Sequence, residues 1–341
     1  MKKLLVVLLT ISLLAFGANA MAWGTPKIAT ATDTINPTAG GASDDSAVAV
    51  SPKLPFNWLN LNKGGDDGAY ASGWSEGTAE NKGTAAAGTI IPFKNTTAFA
   101  IGTADAEGHT KAGAFALDLG LSLFGFPIGP QVSVAGSAVG TTVSVEAEGT
   151  SGFAGKGILG GGIACNESTG MVQGEVGRGS YVNEINSGAT WAQGSEQSAA
   201  NFYGTTKDKD VAVDGTLFGS YGDSASSSIN MTGGAFSAGG SIAYIEPNGN
   251  TQSAFAAVGN MAVTGIQGAD YQDNHVNGSG NATIQSYASN NSGYAIAGAT
   301  GSFSYSGTQA GAGATIMHST STVGNNSFSS HASGASFATS K

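Results

Sequence analysis

The stretch "FALDLGLSL", Phe115 to Leu123, decides the fold. Phe115, Leu117, Leu119, Leu121 and Leu123 fall on one side of an extended chain, and Ala116, Asp118, Gly120 and Ser122 fall on the other. Successive side chains of a strand point to opposite faces, whereas a helix would scatter these leucines around its circumference. Upstream, Phe99, Ile101 and Thr103 alternate with Ala98, Ala100 and Gly102. Downstream, Gly125, Pro127 and Gly129-Pro130 supply a turn, after which Val132, Val134, Val143 and Val145 resume the alternation. Residues 96–150 are therefore expected to form a β-meander.

The same period continues toward the C-terminus with far less charge. From Val211 to Ser340 there is no Lys or Arg, and the only acids are Asp214, Asp223, Glu246, Asp270 and Asp273. Leu217 is the last leucine, and loss of the good helix formers other than Ala argues against helices. Alternating runs at Phe236–Glu246, Ala254–Ile266, Ala282–Ala288 and Tyr294–Tyr305 are set off by Asn248-Gly249, Asn277-Gly278, Asn290-Asn291 and Asn325-Asn326. Asn and Gly tolerate positive φ, so these pairs are expected at sharp turns. Aromatics recur near Phe218, Phe236, Phe255, Tyr271, Tyr287 and Phe303, a soft period of one per hairpin or coil.

Within Gly293–Gly307, Tyr294, Ile296, Gly298 and Thr300 oppose a face of Ala295, Ala297, Ala299 and Gly301. A face of such small side chains lets a second layer approach closely. Two windows, "GNMAVTGIQ" (259–267) and "GNATIQ" (280–285), share a Gly-Asn start and a later Gln, with different spacings. In composition they resemble the repeats of curlin-type secreted fibre subunits. The fold expected is all-β: a β-meander followed by a repeat-like, low-charge C-terminal half (211–341) built as a β-solenoid or as stacked hairpins.

The remaining chain is read as a signal peptide (1–20), an irregular N-terminal segment (21–95) and a Gly-rich mixed segment (151–210). Lys2 and Lys3 precede an apolar run from Leu4 to Phe16 and an Ala18-Asn19-Ala20 cleavage site. That run is too short to span a bilayer, which takes about 20 residues. The irregular segment carries Asp44-Asp45, Asp66-Asp67, the turn signal Gly64-Gly65 and an apolar knot of Pro52, Leu54, Pro55, Phe56, Trp58, Leu59 and Leu61. The mixed segment contains a break at Gly160-Gly161-Gly162, and "SEQSAANFYG" (195–204) is read as one short helix.

Composition narrows the function classes. The net charge is −10 and becomes −12 once Lys2 and Lys3 are removed, with Arg178 the single arginine. Such a chain lacks the cations that phosphate and anionic lipid require, so nucleic acid and membrane surfaces are poor partners. Cys165 is the only cysteine, which excludes an intrachain disulfide. There are 54 glycines among 341 residues, about twice the usual share of roughly 7%, yet no Gly-X-Y period.

The chemical motifs are sparse. "GWSEG" (Gly73–Gly77) has the form of a nucleophile elbow, but no strand–turn–helix context surrounds Ser75. His109, His275, His318 and His331 are isolated from one another and from Cys165, so they read as surface histidines rather than zinc ligands. The aspartates of "DKDVAVDG" (208–215) and the two Asp-Asp pairs hint at calcium, without the spacing of an EF-hand. "AGKG" (154–157) lacks the first Gly and the Ser/Thr of a phosphate loop. Asn230 and Asn281 begin Asn-x-Ser/Thr triplets. No catalytic, cofactor-binding or metal-binding residue is assigned, and no cofactor.

The expected function is non-enzymatic: an exported structural or adhesive protein, secreted or on the bacterial cell surface, that associates with itself, with other cell-surface proteins as further candidate partners. The alternatives are an outer-membrane β-barrel, which the strand at Phe115–Leu123 would suit, and a soluble secreted binding module.

Overall fold

The computed structural model describes residues 27–29, 38–50, 67–123, 126–185, 191–245, 254–270, 275–290, 293–307, 310–324 and 327–340. The signal peptide, the apolar knot at 52–61 and the turn signals Gly64-Gly65, Gly125 and Asn248-Gly249 lie outside these residues. Every element is a strand: β1 (Lys27–Ala29), β2 (Thr38–Val50), β3 (Gly68–Leu123), β4 (Phe126–Ile185), β5 (Trp191–Ile245), β6 (Ala254–Asp270), β7 (His275–Asn290), β8 (Gly293–Gly307), β9 (Ala310–Gly324) and β10 (Ser327–Ser340). All pair antiparallel in one sheet, so the chain is all-β.

Three strands are far longer than the usual five or six residues: β3 has 56, β4 has 60 and β5 has 55. A straight strand of this length would run for about 200 Å. Each is instead folded in two. Ser137 Oγ donates to Gly179 O at 3.1 Å, and the Asn166 amide bonds Ser151 Oγ at 3.0 Å, so the halves of β4 face each other about Leu159. Ser228 N donates to Asp208 Oδ2 at 2.7 Å and Gly222 N to Asp214 Oδ2 at 2.9 Å, so β5 doubles back near Gly219. In β3 the pairing register slips between Pro92 and Lys94 and again between Lys94 and Thr97.

The bends use local devices that break a regular ladder. Leu159 has φ 52°, immediately before the glycine run 160–162, and Gly219 has φ 109°, a conformation that glycine adopts without a Cβ clash. Pro92 has no N–H to give, and register slips bend a strand.

The in-plane positions beside β4 are already taken by β3 and β5 along its length. Its two halves must therefore meet face to face, and the sheet becomes a two-layer sandwich. The first layer runs β2, β3 (68–91), β4 (160–185), β5 (191–217), β7, β8; the second runs β3 (97–123), β4 (131–158), β5 (219–245), β6, β9, β10. Among the described residues the sheet is not closed into a barrel.

One parity of each strand fills the space between the layers. Val139, Val143 and Val145 of β4 meet Val172 and Val176 of its other half, with Ile229, Met231, Ile284 and Met317 alongside, all buried. Ala295 and Ala297 are buried while Tyr294 and Ile296 are exposed, so the small-residue face of β8 is the one packed against the second layer. Bulky rings are accommodated by glycines directly opposite: Phe99 by Gly152, Phe115 by Gly136, Phe202 by Gly174 and Phe303 by Gly280. The core also holds polar side chains that satisfy one another, such as Asn81 Nδ2 donating to Ser168 Oγ at 2.7 Å.

Several expectations need correction. Residues 38–50 and 68–95 are strand rather than irregular text, and the mixed segment 151–210 is mostly strand. In both stretches Ala, Gly, Ser and Thr keep period two, a pattern too weak in hydrophobicity to be read alone. "SEQSAANFYG" is not a helix. Glu196, Ser198, Ala200 and Phe202 point inward, and pairing with β4 and β7 on either side outweighs the helix propensity of alanine. Asn277-Gly278 is no turn but lies within β7, opposite Thr205 and Gly204. Asn290 ends β7, and Asn291 lies outside the described residues.

Candidate functional site

The singled-out motif residues are not brought together. Ser75 points into the sandwich, 1% exposed, and its Oγ donates to Thr142 O at 3.3 Å. Gly73 and Gly77 flank it because a Cβ there would meet Val139 at 2.9 Å or Val143 at 2.6 Å. "GWSEG" is thus a strand packed on valines. His109 bonds Glu107 at 2.8 Å on the surface, and the rings of His318 and His331 are 6.2 Å apart on β9 and β10. Cys165 is half-buried, and desolvation pushes its thiol up, away from the reactive thiolate. Asn230 and Asn281 are exposed.

The aspartates of 208–215 have a different task from the one their composition suggested. Residues 208–228 of β5 pair with no described strand on the side where β6 and β7 flank the rest of it. Asp208, Asp210 and Asp214 accept the N–H groups of Ser228, Ser226 and Gly222 respectively. Their carboxylates cap an edge that would otherwise offer donors to a neighbour.

Other edges are less fully capped, although Asp105 Oδ1 accepts Ala106 N at 2.8 Å on β3. Residues 97–123 of β3 pair with β4 on one side and with no described strand on the other. Among the described strands β10 pairs only with β9, and residues 328–337 are exposed on both faces, including Phe328 and Phe337. Among the described strands β8 pairs only with β7, and none lies beyond β2. β10 faces β8 across the sandwich, where Phe328 lies against Gly293, yet its residues 328–337 stay largely in contact with water.

Strand direction completes the geometry. Apart from the three-residue β1, which pairs with β3 on the same side as β2, each layer has six described strands in strict up–down alternation. The first and last strands of a layer therefore run oppositely. A copy moved sideways, without rotation, would set β10 antiparallel to residues 97–123 of its neighbour, and β8 antiparallel to its neighbour's β2.

The interior holds one ion pair that the sequence pattern did not signal. Arg178 Nη1 donates to Glu196 Oε1 at 2.5 Å and Nη2 to Asn260 Oδ1 at 3.3 Å, while Ser180 Oγ also donates to Glu196. Both side chains are fully buried. Burial pushes the Glu196 carboxyl up to about 7, against the pull of the Arg178 guanidinium. The only hint of this pair was a lone arginine in a weakly charged chain. Asn260 points inward here, whereas Asn281 points outward, so the two Gly-Asn windows are not equivalent in the fold.

Among the described residues there is no group of three or more His, Cys, Asp or Glu side chains placed to hold a metal ion, and no helix long and apolar enough to cross a membrane. No protein-family model matches the chain, and comparison with curated proteins finds no similar sequence.

Proposed function

We propose that this protein is an exported structural or adhesive subunit, secreted or held at the cell surface, that builds β-rich material by joining copies side by side. The reading rests on one observation: both layers end in edges with no described partner strand, and the two edges of each layer run in opposite directions. A second copy fits as an edge-to-edge joint. Its residues 97–123 continue the second layer beyond β10, and its β2 continues the first layer beyond β8. Backbone N–H and C=O groups along both seams would gain partners, and the exposed Phe328 would lose contact with water.

Low charge favours the joint. β10 carries no Lys, Arg, Asp or Glu, so nothing on it repels an incoming strand. Stacked in this way, successive sandwiches form a continuous array of hairpins, which is how the stacked-hairpin character expected of the C-terminal half would arise.

The test is fibre diffraction and negative-stain microscopy of the mature chain. Strands should lie across the fibre axis with a spacing of about 4.8 Å, and six strands per copy set an axial repeat of about 29 Å. Ala332→Lys with Ser336→Lys, both at exposed positions of β10, should leave the sandwich folded and keep it monomeric. Fibres that form equally well with both lysines present, or a wild type that stays monomeric at high concentration, would refute the reading.

A further inference from the structure

Beyond self-association, the outer face of the first layer carries a second feature. Register places Trp74, Glu175, Asn201, Asn281 and Ser302 directly opposite one another across β3, β4, β5, β7 and β8. The next outward row is Glu76, Gln173, Tyr203, Ser279 and Ser304. All of these but Glu76, which stands at its rim beside Gln173, line a shallow, open trough that crosses five strands, about 19 Å at the usual strand spacing. Trp74 is 41% and Tyr203 45% exposed, although both are large aromatics on a folded face. They stand two strands and one row apart, about 12 Å. Gln173 Nε2 donates to Glu76 Oε2 at 3.0 Å, which holds one carboxylate and one amide in fixed orientation between the two rings.

We propose that this trough binds a neutral, unbranched oligosaccharide. A pyranose ring has a C–H face that packs on an aromatic ring and a rim of hydroxyls that both donate and accept. The trough offers two exposed aromatics with carboxylates, amides and hydroxyls between them, which match such a rim. Other chemistries fit less well. An anionic polymer would meet Glu76 and Glu175, while the described lysines of this face, Lys82, Lys207 and Lys209, are paired with Glu80 and Glu167. Nucleic acid needs free cations for its phosphates. A peptide adding as a strand needs a free edge, and the trough runs across strands whose backbones are already paired. An apolar ligand would leave the amides and carboxylates of the walls without partners.

The trough lies on a face that the edge-to-edge joint does not use, so the two properties can be tested apart. Affinity electrophoresis of the full-length mature chain, and of its Ala332→Lys/Ser336→Lys form, would use gels containing β-1,4-glucan, β-1,3-glucan, α-1,4-glucan or soluble chitin, with polygalacturonate as the anionic comparison. At least one neutral glycan should retard both forms. Trp74→Ala and Tyr203→Ala should each weaken that retardation by about tenfold or more, Asn281→Ala should weaken it less, and Tyr203→Phe should preserve it. Absence of retardation by every neutral glycan, retardation by polygalacturonate alone, or retardation that survives both aromatic-to-alanine changes would overturn the proposal. Far-ultraviolet circular dichroism of each variant checks that the sandwich remains folded.

Discussion

Phe202 lies directly opposite Gly174 across β4 and β5, and a methyl group at Gly174 would sit 2.6 Å from its ring. The same methyl would be 2.7 Å from the Trp74 carbonyl oxygen. Phe115 and Gly136 form an equivalent pair at 2.6 Å on the outer face of the second layer. The pairs differ in freedom: Phe202 is 4% exposed and Phe115 57%.

Gly174→Ala should therefore destabilise the protein by about 2 kcal/mol, in the range for overpacking a filled core, because the Phe202 ring has nowhere to move. Gly136→Ala should cost under about 1 kcal/mol, since Phe115 can swing into water. Urea unfolding of the two variants measures the difference; equal losses would show that the rings do not set the cost.

The Arg178–Glu196 pair makes stability depend on pH in a definite direction. The Glu196 carboxyl titrates near 7 in the folded chain and near 4.5 when unfolded, so the folded state holds the proton more tightly. Its contribution is fully present below about pH 4.5 and is lost as pH rises through about 7. Glu196→Gln should flatten the stability profile between pH 5 and 8 relative to wild type. Arg178→Met alone should cost about 3–5 kcal/mol, because it leaves a buried carboxyl without its partner.

Removing a carboxylate cap on β5 should be felt in proportion to burial. Asp208 is 1% exposed, and its Oδ2 accepts Ser228 N. Asp208→Ala should cost about 2–3 kcal/mol, the range for losing a hydrogen bond to a charged group and stranding its donor. Asp214→Ala, at a more exposed position, should cost about 1 kcal/mol. Hydrogen exchange at Ser228 and Gly222 reports each lost cap directly.

Assembly should respond to the charges on the edge strand at 97–123. Asp105 and Glu107 project from its outer face, partly offset by Lys111. Asp105→Asn with Glu107→Gln should speed fibre growth at neutral pH and reduce its dependence on salt, because screening then has less repulsion to remove. Light scattering at low and high ionic strength distinguishes this from an unchanged rate.

The period-two alternation of Phe115–Leu123 was enough to read strands, and the lack of helix formers beyond Leu217 was enough to read an all-β chain. Both are local properties, because a strand's two faces are set by the order of neighbouring residues. The small-residue face of β8 was equally legible as a surface meant for close packing. It was not legible that the layer meeting it belongs to the same chain. That depends on the doubling of β3, β4 and β5, and the bend at Leu159 uses a residue whose type carries no turn signal. The trough was hidden for a related reason. Trp74 and Asn281 are about two hundred residues apart and share a row only because three successive strand pairings keep register between them. Alternation along one strand fixes which side chains face out. Which of them become neighbours is decided by hydrogen-bonded register between distant strands, and only the tertiary structure supplies it.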